Sequence, residues 1–106
     1  MEDRPIWIAL VNVRKVDPTA EILGEREYAY VNVVGPGSSV SDFSVAINAA
    51  ADAIGLMVLE IEEPELFAER TERVYVDPEL HELSEEAEDS GTVQFGTFHT
   101  YPSQET

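Results

Sequence analysis

The chain has 106 residues, 43% of them hydrophobic and 8% aromatic, which suits one globular domain spanning residues 1–106. It contains no cysteine, so disulfides, thiolate metal ligands and a cysteine nucleophile are excluded. With 22 acidic and 6 basic residues, the formal net charge is −16. A surface of this sign repels nucleic-acid phosphates and anionic lipid headgroups, so we expect neither nucleic acid nor a membrane as a partner.

The acidic residues are concentrated in the second half of the chain. Residues 1–54 carry a net charge of −4, whereas residues 55–106 carry −12. Such an excess either forms an interface for a basic protein or serves solubility, including adaptation to a high-salt environment. The first residues include no basic segment followed by a long apolar run, so we expect no signal peptide and a cytoplasmic location.

Two strands are predicted in the first third of the chain. Residues 6–13 are apolar on both alternating faces, which is typical of a strand covered on both sides or lying centrally in a sheet. After two turn signals, residues 28–34 form the second strand, with Tyr28 and Tyr30 on one of its faces. Together with Trp7, these tyrosines provide more aromatic surface than two helices cover, which makes a homodimer an alternative assembly.

The clearest helix signal follows the second strand. Ser39 suits an N-cap, and Gly55 suits the position just beyond the last helical turn. These two residues predict a helix over residues 40–54. Phe43 and Ile47 fall at helical spacing on one side, so that side is expected to face the core.

A third strand is predicted directly after this helix, over residues 56–62. Its alternation places Met57, Leu59 and Ile61 on one face, which we expect to be buried. A strand, a helix and a further strand of these lengths form a right-handed crossover, so the second and third strands should run parallel.

The last part of the chain has weaker signals. Residues 74–76 are predicted to form a short edge strand. A short acidic helix then begins at Asp77, which is followed by proline, and ends at Ser90. Residues 92–101 alternate as a final strand, and residues 103–106 are expected to be a frayed tail.

These elements predict an α+β fold with the order β-β-α-β-(β)-α-β. A single sheet of four to five strands with two helices on one face is the simplest arrangement that buries the apolar stripes. This layering is loosely ferredoxin-like, although the chain lacks the regular βαββαβ order.

The glycine-rich loop 35–39 is the first position where chemistry could occur. Backbone N–H groups before a helix can bind an anion, but Pro36 removes one donor and no lysine follows the loop. A tight turn with a helix cap explains the same residues, and we favour that interpretation. No cofactor is therefore expected.

The acidic stretch that begins in the third strand is the second such position. Glu60 and Glu62 project from one face of the strand, roughly 7 Å apart. Such a pair could divide acid and base roles or bind a hard cation, but no calcium-loop spacing is present. Carboxylates that protect a sheet edge from aggregation are the simpler explanation.

The two histidines are the third position where chemistry could occur. His81 has Asp77 and Glu85 four residues away on either side, on one helical face, yet a single nitrogen ligand is weak for zinc, and no metal site is assigned. A proton-transfer role for the other histidine would need a neighbouring carboxylate, which strand pairing could supply. The polar site predicted on the last strand comprises His99, Thr97 and Tyr101.

We therefore predict a small acidic non-catalytic binding protein, such as an inhibitor or an immunity-like partner of a basic protein. The first alternative is a ligand-sensing or dimerising accessory domain. The second is a small enzyme that uses His99 or the carboxylates of Glu60 and Glu62, although no catalytic residue is assigned. The predicted partner-binding residues are Glu60, Glu62, Glu63, Glu65, Glu82, Glu85 and Glu86.

Overall fold

The computed structural model describes residues 4–19 and 22–101, so the predicted tail 103–106 lies outside the described residues. The described residues form an α+β fold with one open, four-stranded antiparallel sheet and three helices, which confirms the predicted class. The strands are β1 (Ile6–Lys15), β2 (Tyr28–Pro36), β3 (Leu56–Leu66) and β4 (Gln94–Tyr101), and the helices are α1 (Val40–Ala53), α2 (Phe67–Arg73) and α3 (Pro78–Ser90).

The strand order in the sheet is β3-β1-β2-β4, and each neighbouring pair is antiparallel. Because β2 and β3 are both antiparallel to β1, they run in the same direction, as the helical connection between them predicts. They are not neighbours, however, since β1 lies between them. The first strand of the chain is thus central, and β3 and β4 form the two edges.

One face of the sheet, here called the α1 face, carries the larger hydrophobic cluster. Side chains at alternating positions of β1 and β2, such as Val11 and Val31, pack there against Phe43, Ile47 and Ala51 of α1. These five side chains are fully buried. The predicted apolar side of the first helix is therefore confirmed.

The opposite face, here called the α3 face, carries a second cluster. Ile8 and Val34 point to this side and pack against Phe67, Val76 and Leu80, which lie on or beside α2 and α3. The helices therefore lie on both faces of the sheet, and the prediction of two helices on one face is wrong. The physical reason is that β1 is apolar at both odd and even positions, so each of its faces needs its own cover.

The predicted fifth strand at residues 74–76 is also wrong. In its place α2 follows β3 directly, and residues 74–76 form a short irregular link to α3. Val76 is buried by packing in the α3-face cluster and not by strand pairing. Apolar side chains at this link thus produce a strand-like sequence pattern without a partner strand.

The inward face of β3 differs from the prediction as well. Met57 and Leu59 are 42% and 43% exposed, whereas Val58 and Ile61 pack against the α1-face cluster. A shift in the pairing register between Asn12 and Val13 of β1 interrupts the alternation next to Leu59. One irregularity of this kind moves every following side chain to the other face.

The two long helices begin at caps that the sequence predicts. The hydroxyl of Ser39 accepts a hydrogen bond from the backbone N–H of Asp42 at 3.2 Å, and the carboxylate of Asp77 accepts one from Glu79 at 3.1 Å. Gly91 ends α3 with a left-handed φ of 71°. Within residues 4–19 and 22–101, no helix is long and apolar enough to cross a membrane.

Candidate functional site

The α3 face has a part whose side chains are not buried, here called the open sheet face. It lies beyond Ile8 and Val34 along β1 and β2. In one row across the sheet, Asn12 pairs with Glu60 on one side and with Tyr30 on the other, and Tyr30 pairs with His99. The residues of the open sheet face include Asn12, Arg14, Tyr28, Tyr30, Glu60, Glu62, His99 and Tyr101.

Three tyrosines form the centre of the open sheet face. The ring of Tyr101 stacks on Tyr28 with a centroid distance of 5.5 Å and on Tyr30 at 5.3 Å. The Tyr101 hydroxyl donates a hydrogen bond to the side-chain oxygen of Asn12 at 2.7 Å. The antiparallel pairing of β2 and β4 aligns these rings, which the sequence could not show because it does not reveal which strands are neighbours.

The charges around this site are mixed, because Glu60 and Glu62 lie on β3, whereas Arg14 pairs with Tyr28 and Arg70 lines the same pocket as Glu62. Partial burial raises the pKa of the Tyr30 hydroxyl, and the neighbouring Tyr101, Glu62 and Glu60 raise this pKa further. A carboxylate raises a phenol pKa because it disfavours a second negative charge nearby. The tyrosine rings and the two carboxylates are groups that can contact a cation, and the arginines Arg14 and Arg70 already lie beside them.

The predicted polar site on the last strand is only partly assembled. Tyr101 joins the tyrosine group, whereas the Thr97 hydroxyl donates a hydrogen bond to the carboxylate of Glu79 at 2.7 Å. His99 is exposed, and three strand spacings of about 4.8 Å separate it from Glu60, roughly 14 Å in all. These two side chains do not approach within the hydrogen-bond distance that direct proton transfer requires.

Glu65 has a different role from the predicted one. Its carboxylate accepts hydrogen bonds from the guanidinium groups of Arg70 and Arg73, the latter at 2.8 and 3.1 Å. Both arginines belong to α2, and together they lower the pKa of Glu65 to about 2. Because this carboxylate is neutralised within the chain, it does not form part of a free acidic surface.

Replacing Glu65 by glutamine is expected to destabilise the fold by about 1.5–3 kcal/mol at neutral pH, the range for hydrogen bonds to charged groups. The pKa of this carboxyl group is lower in the folded chain, so its contribution is full above the unfolded pKa, near 4.5, and is lost as the pH falls towards 2. Urea unfolding of both proteins between pH 2 and 7 measures the difference. A difference that does not change with pH would contradict the ion pairs.

The remaining predicted partner residues fall into two groups. Glu60, Glu62 and Glu63 lie on β3, at one edge of the sheet, and Glu62 lines a shallow pocket of about 200 Å³ beside Arg70. The second group lies on α3, which packs against β2 and β4. It comprises Glu82, Glu85 and Glu86, all of them exposed.

Helix α3 is the most acidic element of the described chain. Its six carboxylates are exposed, and within residues 4–19 and 22–101 none of them forms a salt bridge. No basic residue occupies its last turn. Negative side chains near a helix C-terminus oppose the helix dipole, so this arrangement is unfavourable for the isolated helix. The six residues are Glu79, Glu82, Glu85, Glu86, Glu88 and Asp89.

Two N–H donors of the glycine-rich loop already have partners within the chain. The N–H of Gly37 donates to the carbonyl of Pro5 at 3.1 Å, and the N–H of Ser38 donates to the carboxylate of Asp42 at 3.3 Å. An internal carboxylate thus takes the place of an external anion. The loop also binds Trp7, whose indole N–H donates to the Gly37 carbonyl at 2.8 Å. Trp7 packs against the α1-face cluster, so it does not share a surface with the tyrosines.

The metal alternative at His81 is not supported in the described residues, where no group of three or more His, Cys, Asp or Glu side chains could hold a metal ion. The imidazole ring instead meets the Phe67 ring edge-on, with centroids 5.4 Å apart. Both rings line a cavity of about 440 Å³ between the start of β1 and the two helices of the α3 face. Of the two carboxylates that flank His81 in sequence, Asp77 caps the start of α3 and Glu85 is exposed.

Comparison with known proteins finds no matching family model, no significant match among curated proteins and none among solved structures. The geometry of the open sheet face and of helix α3 therefore carries the functional argument alone.

Proposed function

We propose that this protein is a non-catalytic binding protein whose acidic helix α3 contacts a basic partner protein. The observation that carries this proposal is the set of six exposed carboxylates on α3 that form no salt bridge in the described residues. A basic surface placed against the helix would neutralise them and would remove the unfavourable interaction of Glu88 and Asp89, in the last turn, with the helix dipole.

The uneven distribution of charge supports binding over a general solubility role. Helix α1 has 14 residues and two acidic side chains, Asp42 and Asp52, whereas α3 has 13 residues and six. Charges that only keep a protein soluble need no such concentration on one helix. Among the basic side chains of the described residues, Arg4 lies beside the end of α3, where it donates a hydrogen bond to the Gly91 carbonyl at 3.4 Å, and Arg14 forms an ion pair with Glu27 at 2.9 Å.

Reversing two charges on α3 is expected to slow association with a basic partner. For the variant Glu82→Lys/Glu86→Lys, we expect the association rate constant for a fluorescent lysine 20-mer to fall about tenfold at low ionic strength. Stopped-flow mixing over a range of salt concentrations measures this rate. The effect should shrink as salt increases, because the Debye length is about 10 Å at 0.1 M.

The matched control is Glu25→Lys/Asp52→Lys, since both residues are exposed and lie outside α3. Both double variants change the formal net charge from −16 to −12. If the two variants slow association equally, only net charge matters and the α3 interface is wrong. Unfolding curves should be nearly the same as those of the wild type, because exposed charges contribute only about 0–1 kcal/mol each.

The open sheet face favours a second candidate function, that of a ligand-sensing or dimerising accessory domain. Three stacked tyrosines and Asn12 lie partly exposed on this face, and clustered aromatic groups that solvent reaches mark binding surfaces. Sedimentation at micromolar to millimolar concentration, with the wild type beside Tyr30→Ala, separates the two candidates. A dimer that Tyr30→Ala weakens would favour the accessory domain, whereas a monomer throughout would count against dimerisation.

A further inference from the structure

The two edges of the sheet differ in how well they resist pairing with another chain. The β3 edge carries several carboxylates, a proline at position 64, two register shifts and a left-handed residue, Glu63, with a φ of 48°. These are the devices by which natural sheets block edge-to-edge pairing. Strand β4, by contrast, has eight residues and a single register shift, opposite Asn32 of β2, and it contains no Asp, Glu, Lys, Arg or Pro.

The outer side of β4 pairs with no other strand in the described part of the chain. An exposed edge strand presents a row of backbone N–H and C=O groups that can accept a further strand. We propose that β4 accepts an extended, basic segment of a partner protein as a fifth strand of the sheet. This inference rests on the proposed function, because it specifies where and how the basic partner binds.

Helix α3 lies over the first half of β4, residues 94–97, and places carboxylates beside this part of the edge. Near the start of the helix, the Thr97 hydroxyl donates a hydrogen bond to the carboxylate of Glu79 at 2.7 Å. Near the end of the helix, the Gln94 amide donates one to the Ser90 hydroxyl at 3.1 Å. Between them, Leu83 comes within 3.2 Å of the position that a Cβ would take at Gly96. The helix therefore runs antiparallel to the strand.

The helical repeat then identifies the carboxylates that would meet an added strand. Glu79, Leu83, Glu86 and Ser90 are spaced by three or four residues, so they lie on the side of α3 that faces β4. Glu82, between Glu79 and Glu86, lies next to that side. An added strand would sit about 4.8 Å beyond β4, and every second side chain would project towards α3. Lysine or arginine at these alternating positions would meet the carboxylates.

A second copy of this chain is a poorer occupant of the edge. Antiparallel pairing of β4 with itself continues the sheet around a two-fold axis perpendicular to it, which leaves both α3 helices on the same side. The acidic sides of the two helices would then face each other across the junction, with a formal net charge of −16 on each copy. Like charges that face each other disfavour association, so charge complementarity selects a basic segment.

Two synthetic peptides test the proposal. The first is a fluorescent nine-residue peptide in which lysine alternates with threonine, and the second has the same sequence with every backbone nitrogen methylated. Methylation keeps the charge but removes the donors that strand pairing requires. By fluorescence anisotropy, we expect the unmethylated peptide to bind at least about tenfold more tightly, and Glu82→Lys/Glu86→Lys to abolish most of this difference.

Amide hydrogen exchange provides the second readout. The unmethylated peptide should slow exchange in β4 and leave β3 unchanged. Equal affinity for the two peptides, or protection of β3 in place of β4, would overturn strand addition while leaving an acidic binding protein. Absence of binding by either peptide at about 1 mM would overturn both proposals.

Discussion

Replacing Ile47 by aspartate is expected to leave most of the chain unfolded at room temperature, so that no cooperative thermal transition is observed. Ile47 is fully buried in the α1-face cluster, so the change removes about 1.5–3 kcal/mol of apolar burial. It also places a carboxylate among apolar side chains, which costs several kcal/mol more whether the group ionises or takes up a proton. A small domain has only about 5–15 kcal/mol of stability in total, so little or none remains.

Val45 provides the matched control, because it lies on the same helix and is 66% exposed. Val45→Asp introduces the same side chain, and the expected change in stability is within about 0.5 kcal/mol. Circular dichroism during thermal unfolding compares the two variants. If the Ile47→Asp variant had the same melting temperature as the wild type, the packing of α1 in the core would be contradicted.

Replacing Gly35 by alanine should destabilise the fold by about 1–3 kcal/mol, the usual cost of overpacking. A Cβ at this position would lie 2.8 Å from a methyl carbon of Val93 and 3.0 Å from the Val93 Cα. The second of these atoms belongs to the backbone and cannot move away by rotating a side chain. The junction between the end of β2 and the residue before β4 would therefore have to shift.

A second glycine separates this steric effect from a backbone effect. Gly24 has a φ of 63°, and no heavy atom lies within 4 Å of the place that its Cβ would occupy, so its requirement is conformational only. Asparagine tolerates the left-handed region, and Gly24→Asn should change stability by less than about 1 kcal/mol. Urea denaturation compares both variants. Equal losses at the two positions would mean that the contact with Val93 is not what requires glycine at position 35.

The sequence is sufficient for the elements whose signals are local. It predicts helix α1 over residues 40–54, and the helix spans Val40–Ala53, because Ser39 and Gly55 mark its ends. The acidic helix is predictable for the same reason, from Asp77 to Ser90. The central position of β1 is also indicated, since this strand is apolar on both faces.

Features that depend on contacts distant in sequence are not predictable in this way. The apolar pattern at residues 74–76 comes from packing under a helix, and the register shift beside Leu59 depends on how β3 pairs with β1. The ion pairs of Glu65 with Arg70 and Arg73 require α2. This helix has no side-chain cap, so the sequence gives no local signal of where it begins. The seven predicted interface residues share only their charge, and charge alone does not determine which residues share a surface.

The central position of β1 couples the unfolding of the two hydrophobic clusters. Neighbouring residues of this strand, Ile8 and Ala9, belong to the two hydrophobic clusters on opposite faces, and the strand pairs on both sides. Opening β1 therefore exposes both clusters at once, so the two layers should unfold in one step. Strand β4 pairs only with β2 and contributes no fully buried side chain, so it can separate at a lower free energy than the rest. The least protected strand of the sheet is thus also the last of its four strands to emerge from the ribosome.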